Sequence, residues 1–221
     1  MAIKLLKYKQ MSDFFIWATP WWVNLILLVP FVSLYIWRRG LNLAWRVLVF
    51  VGCWAIAFGI VEASVVIDLR GIMVGIHGGY DLSVGGISQF SQVVFADPTD
   101  INLLPPDLYL VEFLREAATI IMLASLALLA AKGAKERWAV FLWAFAIWDI
   151  VYYFALWAVI GWPGALADYD ILFLIPVPWA SRVWFPLLVS VLSIIAVLIA
   201  KLGWVGGSRL STHNRHLNVV E

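Results

Sequence analysis

The chain has 221 residues, 64% of them hydrophobic and 13% charged, with a formal net charge of +1. A soluble domain carries about 25% charged residues, so this composition belongs to a polytopic membrane protein. The near-neutral balance excludes the broad basic face of a nucleic-acid binder. A single cysteine, Cys53, excludes a disulfide framework or a thiolate metal site.

The sequence predicts an all-α fold: one polytopic transmembrane helix bundle, a single domain over residues 1–221, with about five spans. Each span needs about 20 mostly apolar residues, and the runs at 15–37, 44–67, 108–131, 138–160 and 179–202 qualify. The first run carries Pro20 and Pro30 and continues through Trp37 without a small-residue cleavage site, so it reads as a retained span. Ahead of it, residues 3–16 suit an interfacial amphipathic helix. Cys53, in the second span, reads as a small buried apolar residue.

Residues 68–107 form a 40-residue outer loop rich in glycine. A loop of that length is functional or locally structured, and its Val93-Val94-Phe95 run is expected to pack on the bundle mouth. Pro105-Pro106-Asp107 places two prolines and an N-cap carboxylate before the third span. Residues 132–137 form a tight basic connection. Gly161-Trp162-Pro163-Gly164 stops the fourth span, because glycine suits a helix C-terminus and proline cannot continue one. Residues 161–178 are too apolar for a free loop and predict an interfacial or re-entrant segment. Pro186 is expected to kink the last span, and residues 203–221 form a disordered tail.

Lys and Arg in short loops set orientation. Arg38 and Arg39, then Lys132, Lys135 and Arg137, then Lys201, Arg209 and Arg215 all fall on one side. That side is expected to be cytoplasmic, with the C-terminus. Lys4, Lys7 and Lys9 on the other side run against the rule.

Glu62, Glu112, Glu116 and Asp149 lie inside apolar spans. An ionised carboxylate at that depth costs at least about 2.5–3.5 kcal/mol and normally faces a bundle interior or cavity. Glu112, Arg115 and Glu116 share one helix face at i, i+3 and i+4, either as a closed ion pair or as a cavity-facing site. Glu62 falls at a similar depth. Tyr152 and Tyr153 follow Asp149 at i+3 and i+4, where their hydroxyls can bond a carboxylate or a ligand. Asp170 precedes an apolar run expected to rest on the bundle mouth, and Asp168 reads as a solvated loop acid. Arg182 either snorkels or borders the site.

Four acids against Arg115 and Arg182 leave a negative surplus in a low-dielectric place. Extra protons or a bound cation must balance it. The ligand-binding set is therefore Glu62, Glu112, Arg115, Glu116, Asp149, Tyr152, Tyr153, Asp170 and Arg182, with Glu62, Glu112, Glu116 and Asp149 as candidate metal ligands. All-oxygen ligands favour Ca²⁺, Mg²⁺ or Na⁺. An organic amine is the other candidate, held by aromatic faces drawn from Trp54, Trp143, Trp148 and Trp157. No cofactor is identified. Histidine is missing from every span, which disfavours haem and His-ligated pigments; His77 lies in the outer loop, and His213 and His216 in the tail. No catalytic motif is present, so catalytic residues stay unassigned.

Arg115-Glu116-Ala117-Ala118-Thr119, Trp148-Asp149-Ile150-Val151-Tyr152-Tyr153 and Leu172-Phe173-Leu174-Ile175-Pro176-Val177-Pro178-Trp179 together resemble stretches of a family of small bacterial polytopic membrane proteins. That resemblance, over residues 108–185, implies a bacterial inner membrane and no particular activity. A looser similarity, physical rather than residue by residue, is to the sterol-isomerase and sigma-2-receptor group, small bundles whose acids meet a cationic centre in an aromatic cavity. The expected function is an integral inner-membrane protein binding a cation or a cationic or polar small molecule. The alternatives are a non-catalytic structural subunit of a larger membrane complex, and a membrane enzyme using paired carboxylates on a lipid-soluble substrate. Expected partners are the lipid bilayer and other membrane subunits or further copies of the chain, with no nucleic acid.

Overall fold

A chain crossing lipid must satisfy its backbone polar groups internally, which long apolar helices do. The computed structural model describes residues 17–78 and 105–217, with side chains at 17–72 and 105–203. The expected helix over residues 3–16, the Val93-Val94-Phe95 run and the lysines of the N-terminus lie outside the described residues.

After strand β1 (Ala18–Thr19) come a 3-10 helix (Trp21–Leu28) and helix α1 (Val29–Ile36). Four longer helices follow: α2 (Trp45–Gly78), α3 (Pro106–Ala130), α4 (Ala134–Ile160) and α5 (Trp184–Leu217). Between α4 and α5 lie strands β2 (Tyr169–Phe173) and β3 (Trp179–Arg182). The chain is mostly helical, and four helical stretches are long and apolar enough to cross a membrane: Trp45–Ile72, Pro106–Ala130, Ala134–Ile160 and Trp184–Gly203. Their outer faces expose large apolar side chains such as Phe50, Ile60, Leu114, Ile121, Leu129 and Ile199. Apolar surface on that scale is compatible with an integral, multi-pass membrane protein.

Several sequence expectations shift. The expected span at 15–37 is a 3-10 helix running into a short α-helix, with Pro30 in the first turn of α1, where its missing N–H leaves no bond unmade. The second helix runs past residue 67 to Gly78, so the backbone of His77 is helical. Cys53 is exposed on α2 rather than buried. Asp107 does not cap α3: Pro105 holds that position without a side-chain bond, and Asp107 sits in the first turn, where it favours the positive helix end. Gly161 does end α4, at φ 71°, its N–H bonded to Trp157 O at 3.0 Å. The tail backbone is helical to Leu217 rather than disordered.

The largest departure from the expected all-α structure is a three-stranded antiparallel sheet, in the order β1-β3-β2, with β2 drawn from the 161–178 segment. Ala18 pairs with Ser181 and Thr19 with Ala180. On the other edge of β3, Asp170 pairs with Ser181 and Phe173 with Trp179, with an irregularity between Ile171 and Phe173. Pro176 and Pro178 keep the 174–178 connection out of a helix. The last helix therefore starts at Trp184, not 179, and Pro186 falls in its first turn, where it needs no hydrogen-bonded N–H and causes no kink.

α4 packs against α2, α3 and α5. It meets α2 along Gly52, Ala55, Gly59 and Ala63, all buried. Small residues at such spacing let two backbones approach closely in a membrane, where packing rather than the hydrophobic effect drives association. A Cβ at Gly59 would lie 2.8 Å from the Trp148 carbonyl oxygen and 3.0 Å from Val151 Cβ. That approach sets the distance between α2 and α4 at the depth of the site.

Candidate functional site: an acidic cavity beneath the sheet

A cavity of about 130 Å³ lies at the sheet end of the bundle, walled by α2, α3, α4, the start of α5 and residues 171–174. By the helical rise of 1.5 Å per residue, Glu112 and Thr119 lie about 9 and 20 Å along α3 from its sheet-end terminus. The polar groups thus sit well inside the apolar length of the helices.

Arg115 is the hub of one half. Its Nη1 donates to Glu62 Oε2 on α2. Its Nη2 and Nε donate to Glu112 Oε2 at 2.8 and 3.0 Å on its own helix. Thr119 donates to the other oxygen of Glu62. One guanidinium is shared by two buried carboxylates, each 9% exposed or less in its side chain. Of the three α3 residues read as one face, Glu112 and Arg115 thus sit together and are joined to Glu62 on α2.

The remaining acids are held differently. Glu116 turns from Arg115 toward the sheet and accepts the Leu174 backbone N–H at 2.6 Å. Asp149 accepts the Ser190 hydroxyl of α5 at 2.8 Å. Asp170, on β2, accepts the Tyr153 hydroxyl at 2.9 Å. Glu116, Asp149 and Asp170 all line the cavity and are buried. No salt bridge reaches any of the three among the described residues. Tyr152 also lines the cavity.

The walls are aromatic. Trp148 stacks on Tyr152 with ring centroids 6.1 Å apart, and Phe173 lies 6.4 Å from Phe145 and 5.6 Å from Trp179. Of the four tryptophans proposed for an aromatic wall, Trp148 serves. Trp143 instead donates its indole N–H to Leu48 O at 2.9 Å, Trp157 is exposed, and Trp54 packs on Phe58 in the core.

Arg182 is not among the residues lining the cavity. It is exposed, its guanidinium bonded to Ala167 O at 3.2 Å and lying over the Tyr169 ring. Strand β3, rather than a helix, carries it, and the strand's alternation points it away from the buried Ser181 face. Asp168 is a turn acid, accepting the Gly164 and Ala165 N–H groups at 2.9 and 3.0 Å.

Arg70 is the residue that sequence reading missed. Hydropathy falls at Asp68, which placed it in a loop, yet α2 continues and Arg70 lines the cavity, buried. Its spacing of eight from Glu62 puts both near one helix face, which was the available signal. Thr119 follows Arg115 by four and was legible in the same way. The partners Ser190 and Leu174 N–H depend on tertiary packing and leave no local mark.

Asp170 lies outside the helices. Burial pushes its carboxyl up to about 6, against the opposing influence of Arg70 and the Tyr153 hydroxyl. The folded protein therefore holds this proton more tightly than the unfolded chain, whose aspartate titrates near 3.9. Its contribution is full below about pH 4 and is lost as pH rises toward 6. Asp170→Asn should flatten that part of the stability profile, by about 2–3 kcal/mol at most. Thermal unfolding in mild detergent between pH 4.5 and 7, for both proteins, measures it; parallel profiles would contradict the burial of this carboxyl.

No family model matches the chain, and no curated protein or solved structure matches it either.

Proposed function

We propose that this is a multi-pass membrane protein whose cavity binds a cation-bearing small molecule. The observation that carries the reading is the charge inventory. Five buried carboxyls, those of Glu62, Glu112, Glu116, Asp149 and Asp170, meet two guanidiniums, those of Arg70 and Arg115. Arg115 is consumed by Glu62 and Glu112, so Glu116, Asp149 and Asp170 face the cavity without an ion-pair partner among the described residues. A cation entering an aromatic-walled space gains from both the carboxylates and the ring faces. The acids are tethered to separate helices and the sheet, and among the described residues no three such groups converge as metal ligands. Aromatic rings beside these acids, those of Trp148, Tyr152 and Phe173, suit an organic ammonium.

The Trp21–Ile36 segment supports a fifth crossing. Its eight 3-10 residues rise about 2.0 Å each and its eight α-helical residues about 1.5 Å, giving about 28 Å, close to the hydrocarbon thickness of about 30 Å. One end is tied to the sheet, where Asn24 bonds both backbone groups of Ala18. The other reaches the far end, where Ser33 accepts the Trp138 indole N–H at 2.9 Å. That far end carries Arg38, Arg39, Lys132 and Lys135, all exposed. By the positive-inside rule it is cytoplasmic, which puts the cavity on the opposite side.

Thermal unfolding of the purified protein with tetramethylammonium, Na⁺, Mg²⁺ or Ca²⁺ at matched ionic strength tests the binding reading. Tetramethylammonium should raise the Tm, and Glu116→Gln and Asp149→Asn should each weaken its binding at least about tenfold, the loss of one close charge contact of about 1.4 kcal/mol. Absence of any cation-dependent shift in a folded sample would sink the proposal.

A further inference from the structure

The cavity has a surplus of a second kind. Arg70 is only 3% exposed, and its Nε and Nη1 have no hydrogen-bond acceptor. Its guanidinium lies 4.1 Å over the Trp162 ring, which covers one face and accepts no in-plane bond. No carboxylate comes within salt-bridge distance of it among the described residues. The indole N–H groups of Trp148 and Trp179, two further lining residues, also lack acceptors. Each buried donor left unmade costs about 1–3 kcal/mol, and a charged one more. Buried polar groups of native proteins are nearly always paired, so three such donors around one cavity point to a binding partner for them.

Resting on the cation reading above, we propose that the ligand is a small zwitterion: an ammonium joined by a short spacer to a carboxylate or phosphate. Its anionic group meets Arg70, which enters from α2, and its ammonium meets Glu116 and Asp149, which enter from α3 and α4. A bare cation would leave the Arg70 donors unmet and be repelled by that guanidinium. A bare anion would face three carboxyls. Only a ligand carrying both signs answers the donors and the acids at once, and the planar fork of arginine is matched to carboxylate and phosphate oxygens. A free zwitterion and the head group of a zwitterionic phospholipid share this chemistry.

The test uses the full chain in a non-ionic detergent micelle. Dissociation constants are measured by calorimetry for trimethylglycine and phosphocholine, for tetramethylammonium, for acetate and inorganic phosphate, and for a short-chain diacyl phosphatidylcholine. Wild type, Arg70→Gln and Arg70→Lys are compared. In the wild type a zwitterion, free or as a head group, should bind at least about tenfold more tightly than tetramethylammonium. Arg70→Gln should erase that advantage while leaving tetramethylammonium as tight or tighter, and Arg70→Lys should keep part of it. Tight binding by the free zwitterions identifies a soluble ligand; tight binding by the diacyl lipid alone identifies a membrane head group. Equal wild-type affinities for zwitterion and tetramethylammonium, unmoved by Arg70→Gln, would overturn this inference and leave the cation reading intact. Binding of no probe to folded protein would overturn both. Should Arg70→Gln not fold, the wild-type ratio and the Arg70→Lys variant still decide the matter.

Discussion

Arg115→Leu should destabilise the protein by about 3–5 kcal/mol, the usual cost of removing one partner from a buried ionic group and leaving the other uncompensated. The guanidinium serves Glu62 on α2 and Glu112 on α3 together, so its loss strands two carboxylates in a low-dielectric interior. Adding Glu62→Gln to Arg115→Leu should recover part of the loss, because a neutral amide carries no charge to desolvate. The single variant Glu62→Gln should cost much less, since Arg115 keeps Glu112. Unfolding free energies of the four proteins in mixed micelles complete the double-mutant cycle. Additive losses, with no recovery in the double variant, would show that Arg115 acts through shape rather than charge.

Gly59→Leu should be comparably severe. Even a methyl group there meets the Trp148 carbonyl oxygen at 2.8 Å, a backbone atom that cannot rotate away. Overpacking typically costs about 1–3 kcal/mol, occasionally more, and a leucine must push α2 from α4. Because Gly59 lies less than one turn from Glu62, the displacement also stretches the Glu62–Arg115 contact. Gly52→Ala is the matched control: its new methyl meets Ile147 Cδ1 at 3.4 Å and Trp143 Nε1 at 3.5 Å, side-chain atoms close to ordinary contact distance. A Tm for Gly59→Leu within a degree or two of that control would contradict the close helix approach.

The helices and most of the buried acids were legible in the sequence, because apolar run length and the cost of a carboxylate in hydrocarbon are local properties. Glu112, Arg115 and Glu116 were readable as one face from spacing alone. The sheet was not. Its strands are short, Ala18–Thr19, Tyr169–Phe173 and Trp179–Arg182, and the apolar stretch at 172–179 has the same composition as a membrane segment. Only pairing across distant parts of the chain distinguishes the two. Arg182 was placed on a helix rather than on β3 for that reason, and Arg70 was missed because a helix can outlast its hydropathic run when polar residues face a cavity.

The pairing of Ala18 with Ser181 has a consequence for biosynthesis. Strand β1 is made before α2, yet β3, its neighbour in the sheet, follows only after α4 is complete. The intervening helices can insert and pack as local units, but the wall that the sheet supplies to the cavity can close only afterwards. Arg115 can reach Glu62 and Glu112 as soon as α2 and α3 meet, whereas Glu116 must wait for the Leu174 N–H and Asp149 for Ser190. A nascent protein halted after α4 would therefore carry the arginine hub in place while Glu116 and Asp149 still lacked the Leu174 N–H and the Ser190 hydroxyl.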